Sequence, residues 1–321
     1  MLPRVSGSLP LVTRWLLAAM LGGLVACGDD EAAPSEPAAA ARAEGEPSWA
    51  ERLAEPDVSG LLAALDQPHA TIREAVGAHH LQVTTQTSLT PPAWDPEALH
   101  PVDAPVVPDQ AVRDELALTW RPAEDGEERL SLSQHNDHDR GRDVIVIGET
   151  VHVRKEHRGW YHYARDSDLV ELWLDDAQRS VHDAIELAAP RLALRAQTAE
   201  GGGLRGGDAV EITLDLAESV TPALAAAGPT QGWRREAELT GIEGTLRLDA
   251  TTGAWLSAEL DLRYRLSGAD GRPLEGRLRL EGQVTPDPAQ DVSAPTDSRP
   301  LPTRIRYDQE QQELLDGLAA P

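Results

Sequence analysis

Histidine and aspartate crowd one stretch of this chain, His135-Asn136-Asp137-His138-Asp139, with His152, His157 and His162 close behind. Imidazole and carboxylate at such spacing can hold zinc or another divalent ion, and neighbouring acids would orient the rings. His135 and His138 are the candidate metal ligands. The same residues also suit a polar hairpin turn, where Asn and Asp side chains bond to nearby backbone. Asp137 and Asp139 fit a weak calcium loop, but the glycine and terminal glutamate of an EF-hand loop are missing. A serine hydrolase needs its nucleophile on a sharp Gly-x-Ser-x-Gly turn, and that sequence does not occur. The run Gly201-Gly202-Gly203-Leu204-Arg205-Gly206-Gly207 has no lysine and opens no helix, so it reads as a hairpin connection rather than a phosphate loop. Paired acids such as Asp175-Asp176 belong on solvated faces in so acidic a chain, and no glycosidase pair stands out. The chain is read as non-enzymatic, with no catalytic residue assigned and no cofactor.

The one cysteine has a different chemistry. Cys27 closes Leu24-Val25-Ala26-Cys27 after a short apolar run, with Arg4 and Arg14 supplying the positive start of a signal peptide. This run resembles the lipobox of bacterial lipoproteins, which implies that Cys27 is acylated and becomes the mature N-terminus. An acylated Cys27 leaves no thiol for disulfides, zinc or catalysis. The acyl chain contributes about 0.8 kcal/mol per buried methylene towards holding one end at the bilayer.

Charge narrows the partners. Asp and Glu number 54 against 29 Lys and Arg, a formal net charge of −25. Such a surface repels an anionic polymer, so nucleic acid is not expected. The membrane contact is then the anchor, and the body sits in the periplasm or at the cell surface, on the outer membrane by preference. Protein partners are left open.

The elements that would position any site follow from hydrophobic period. Residues 1–26 read as the signal peptide, and 27–56 as the acylated cysteine and a disordered tether rich in Ala, Pro and Glu. Residues 57–321 read as one β-rich domain. Leu61, Leu62, Leu65, Ile72 and Val76 predict two short helices around Pro68, with Ser59 as N-cap. Leu81, Val83, Thr85, Thr87 and Leu89 alternate as a strand, and Leu116, Leu118 and Trp120 do so after an extended loop over 91–108. Hairpins are predicted over 129–134, 143–147, 150–155 and 160–165. A helix follows over 168–189, where Leu169, Leu172, Trp173, Ala177, Val181 and Ile185 recur at helical spacing until Pro190.

A strand over 210–216 precedes a long meander over 242–284, apolar at even positions, with Leu246, Leu248, Leu260, Leu262, Leu278 and Leu280 on one face. A strand over 303–307 and a helix over 309–318 are predicted to end the chain. Trp120 and Trp173 fall on core faces. Trp255 shares its parity with Glu259 and Asp261, which predicts a place outside the sheet or at a bulge. About ten antiparallel strands with few helices predict an α+β fold, mainly antiparallel β, whose sheet curves into a half-barrel around the central helix on its concave face.

The order lipobox, tether, helical segment, hairpins, central helix and meander resembles the LolA/LolB and LppX-like lipoproteins. That resemblance implies an unclosed half-barrel holding a lipid or acyl chain between sheet and helices. The cavity would be lined by Leu169, Leu172, Trp173, Val181, Ile185, Leu246, Leu260, Leu262 and Leu278. Two other readings stay open: an envelope structural or protein-interaction module with a filled core, and a metal-binding protein using His135 and His138.

Overall fold

Alternation along His79–Thr90 (β1) divides the sheet into two faces, because Leu81, Val83 and Leu89 are buried while Gln82, Gln86 and Thr90 stand in solvent. The computed structural model describes residues 48–90, 110–122, 127–156, 158–219, 237–267, 273–286 and 291–301. Cys27, the signal peptide, most of the tether, the 91–108 loop and the elements predicted over 303–318 lie outside them.

Twelve strands form one sheet. After β1 come Gln110–Pro122 (β2), Glu128–Asn136 (β3), Gly141–Ile147 (β4), Thr150–Lys155 (β5), Tyr161–Ala164 (β6), Leu192–Ala199 (β7), Ala209–Leu216 (β8), Glu238–Asp249 (β9), Trp255–Ser267 (β10), Pro273–Pro286 (β11) and Arg299–Pro300 (β12). Their order is β12-β6-β5-β4-β3-β2-β1-β11-β10-β9-β8-β7. All neighbours are antiparallel except β12 on β6. The sheet is open, with β12 and β7 at opposite ends.

Among the described residues four α-helices accompany it: Trp49–Ala54 (α1), Val58–Leu65 (α2), His69–Val76 (α3) and Ser167–Ala188 (α4). Among the described residues no helix is long and apolar enough to cross a membrane. Ser48 and Glu51 close a reciprocal capping box at the start of α1. This helix lies inside the stretch read as tether, and its Leu53 is fully buried. The packed body therefore begins before residue 57. Asp57, not Ser59, caps α2, its Oδ1 accepting from the Gly60 N–H at 2.6 Å. α4 is capped by Asp166 and stops at a 3₁₀ turn containing Pro190.

All four helices send side chains into one cluster with the alternating residues of the sheet. The phase of α4 differs in part from the predicted stripe. Val170, Trp173, Leu174, Ala177, Val181, Ala184 and Ile185 are buried, whereas Leu172 is 45% exposed. Leu172 lies two positions before the buried Leu174, about 200° around the helix axis, so only one of them can face the sheet.

Trp255 sits at a register shift between β10 and β9, as its parity allowed, yet it is fully buried and not outside the sheet. The bulge turns its ring inward. There a Cβ on Gly282 would come within 3.3 Å of that ring. At Gly276 the constraint is tighter, for Tyr264 lies directly opposite and a Cβ would approach its ring at 2.2 Å.

Candidate functional site

The nine positions read as cavity-lining divide three ways. Trp173, Val181, Ile185, Leu246, Leu260 and Leu262 are buried in the contiguous core, Leu169 and Leu278 pack partly buried against it, and Leu172 points to solvent. Leu172 is thus removed from any lining role. The helix–sheet contact is made by interlocking apolar side chains.

His135 and His138 have separate partners. The His135 Nε2–H donates to Asp143 Oδ1 at 2.9 Å, and Arg154 and the Ser133 hydroxyl bond to the same carboxylate. Burial alone would raise the Asp143 carboxyl, but these donors outweigh it and hold it below the usual range. His138 stands on the β3–β4 turn with its Nε2 3.3 Å from the Ala111 carbonyl oxygen. Asn136 Oδ1 organises that turn by accepting from the backbone of His138 and Arg140, the backbone role anticipated for such residues. A different set brings three ligand-type side chains together among the described residues. His182, Asp183 and Glu186 on α4 have donor atoms within 4.8 Å of one another.

A buried polar cluster that periodicity did not reveal joins α3, α4 and the first strands. His79 Nδ1–H donates to the Gly77 carbonyl at 2.7 Å, so in the neutral ring Nε2 must accept. The donor is His69 Nε2–H, 3.1 Å away. His69 Nδ1 is then left as a buried acceptor without a partner. Burial, followed by the neighbouring His79 and Arg73, drives the His69 pKa down to about 2, and burial lowers His79 against the pull of the Gly77 carbonyl.

Beside this pair, Glu128 Oε1 accepts from Arg73 Nη1 and from Trp120 Nε1, each at 2.5 Å. Its Oε2 takes Arg165 Nη2 at 2.5 Å. Burial would raise this carboxyl; the hydrogen bonds from Trp120 and Arg165 and the charge of Arg73 hold it low instead. Arg73 also reaches Glu171 on α4 at 3.0 Å and lies 5.7 Å from the Trp120 ring centre. The arrangement ties helix to sheet through charge-assisted bonds. Its imidazoles are held neutral and its carboxylate is saturated by donors, which suits a brace rather than proton transfer. No local spacing marks it, since Arg73, Glu128 and Glu171 lie far apart in sequence. Only the pairing of β1 with β2 and of β2 with β3 unites them.

The opposite face of the sheet carries a polar row. Register aligns His80, Thr119, Ser131, Ile145, His152 and His162 across six strands. Residues 291–301 return over this face: Asp291 approaches Arg129 at 3.9 Å, Val292 is buried, and Ser298 meets both His152 and His162. The strap then pairs with the β6 edge through backbone bonds from Arg299 to Trp160 and from Leu301 to His162. Further along the same face, β1 and β11 border an open cleft of about 100 Å³ lined by Gln86, Ser88, Arg277 and Arg279.

Among the described residues the far end of the sheet has no such strap. Ala217 N–H donates to Arg191 O at 2.8 Å, and continuing that antiparallel register directs the backbone of Ala193, Arg195 and Gln197 towards β8. The N–H and C=O groups of Leu192, Leu194, Ala196 and Thr198 therefore point outward. Among the described residues no strand and no backbone hydrogen bond lies beyond them.

No family model and no curated protein matches the chain. Among solved structures it is similar to a crystal structure of MucB at 13% identity and a TM-score of 0.25, over 75% of this chain and 63% of that one. It is similar to MucB in complex with MucA(peri) at 17% identity and a TM-score of 0.24, over 76% of this chain and 62% of the other. It is also similar to the MucA/MucB complex of Pseudomonas aeruginosa at 17% identity and a TM-score of 0.25, over 77% and 64%. The match spans less than two thirds of each of those chains, and TM-scores of this size transfer neither ligand nor partner. The chain is a mixed α+β protein with distant structural similarity to MucB.

Proposed function

We propose that this protein is a non-catalytic, lipid-anchored module of the bacterial cell envelope that binds an extended segment of a partner protein along the β7 edge. In this reading Cys27 carries the anchor, the stretch after it is a tether, and the sheet bends partway round α4 as an open half-barrel. The observation that carries the interaction role is the outer row of β7, which has no backbone partner among the described residues. A strand edge of this length offers main-chain donors and acceptors at the spacing an added strand needs. Burial supports the same choice over lipid carriage, since six of the positions expected to line a cavity are buried within one apolar cluster.

A photo-crosslinking residue at Gln197, an exposed position of β7, tests this in cells. The expected result is a discrete protein adduct that disappears when Ala196→Pro removes an outward N–H while leaving the β7–β8 bonds in place. Adduct formation indifferent to that proline would overturn the edge assignment. Mass spectrometry of organic extracts from the purified chain should find no stoichiometric lipid; its recovery would return the cavity reading. For the anchor, Cys27→Ala should move the protein from the membrane to the soluble fraction.

A further inference from the structure

The sharpest convergence of polar atoms outside the Glu128 brace lies on the opposite face of the sheet, beside the β6 edge. His152 and His162 are directly paired across β5 and β6, with ring centres 5.7 Å apart. Both direct Nδ1 at one atom: Ser298 Oγ stands 2.9 Å from the first and 3.1 Å from the second. A hydroxyl has a single hydrogen, so it donates to one imidazole and accepts from the other. The backbone ladder fixes the distance between the strands, and the strap fixes the oxygen between the rings.

We propose that His152 and His162 form a cross-strand site for a divalent transition-metal ion of the zinc class, with the ion taking the place now held by the Ser298 hydroxyl. Neutral imidazole is a ligand for zinc, nickel and copper rather than for calcium or magnesium, and no carboxylate is needed for that selectivity. Zinc requires its nitrogens at about 2.0–2.1 Å. Each ring must therefore move inward by roughly 1 Å from its present contact with oxygen, a shift available to side-chain rotation without disturbing the paired backbones. Water completes the coordination. The adjacent Arg154 does not oppose the ion with a bare charge, being paired with Asp143 and stacked 4.8 Å from the Trp160 ring centre. Because ion and hydroxyl compete for one position, occupancy releases the turn that leads into β12.

Isothermal titration of the detergent-solubilised full chain, purified without a histidine tag, tests the site with Zn²⁺ at pH 7.5. One binding event is expected, weakened at least tenfold by His152→Ala and by His162→Ala. Ser298→Ala, which removes the competitor, should bind as tightly as the wild type or more tightly. His162→Gln keeps size and polarity at the sheet edge and should lose binding with an unchanged circular dichroism spectrum, which separates ligand loss from unfolding. Absence of binding in both the wild type and Ser298→Ala overturns the proposal. So does binding that survives the double His152→Ala, His162→Ala variant and is abolished by His182→Ala, which would move the ion to the helix.

Discussion

His69 donates from Nε2 to Nε2 of His79 across 3.1 Å of protein interior, and the Gly77 carbonyl fixes which ring is the donor. Two neutral imidazoles thus close the seam between α3 and β1. A proton on His79 Nε2 would break this bond, and one on His69 Nδ1 would bury a charge with no partner, so burial holds the His69 pKa down at about 2.

That value makes stability depend on pH in a defined direction. An unfolded histidine titrates near 6.5, so below that pH the unfolded chain binds a proton that native His69 refuses. Its contribution is complete above pH 6.5 and declines as pH falls towards 2. Urea unfolding at pH 6.5 and pH 5.0 should differ by about 2 kcal/mol from this residue, with His79 adding in the same sense. His69→Gln should flatten the slope over that interval.

Removing the carboxylate at the centre of the brace should cost more than a surface ion pair. Glu128→Ala leaves Arg73, Arg165 and the Trp120 N–H facing a partly buried gap, and a loss of about 2–4 kcal/mol is expected in denaturant unfolding. Glu128→Gln, which retains one acceptor, should lose less.

The two leucines on opposite sides of α4 offer a paired comparison. Leu174→Ala opens space in the core and should destabilise the protein by about 2–5 kcal/mol, while Leu172→Ala should stay within about 0.5 kcal/mol of wild type. Thermal unfolding of both variants distinguishes them directly.

Gly276 is confined by a ring rather than by a turn. Gly276→Ala drives its methyl into Tyr264, which is itself buried, and should lower stability by about 1–3 kcal/mol. Adding Tyr264→Leu to the same chain should recover part of that loss, and the double-mutant cycle measures how much.

Much of this architecture is legible in the residues. Thr150–Lys155 emerges at its predicted bounds, and the even-numbered apolar side chains of β10 face the core as their period requires. β7 has no clear sequence signal because Leu192-Ala193-Leu194-Arg195-Ala196 does not alternate cleanly, and an edge strand is under little pressure to do so. Trp255 kept the wrong parity because a bulge inserts one residue into the count. Spacing alone specifies α4, but Leu172 and Leu174 are equally apolar, and only packing against the sheet decides that Leu174 is the buried one. The Glu128 brace and the Ser298 contact were hidden for another reason. Both join side chains distant in sequence, and register alone decides that they meet.

The position of β1 between β2 and β11 has a kinetic consequence. Residue 79 pairs with residue 286, so the middle of the sheet is completed only by one of the last described strands. Until that strand is available, β1 remains a raw margin, and such distant closures slow folding. A nascent chain therefore spends its early life with its future centre exposed, and assembly must await residues 273–286.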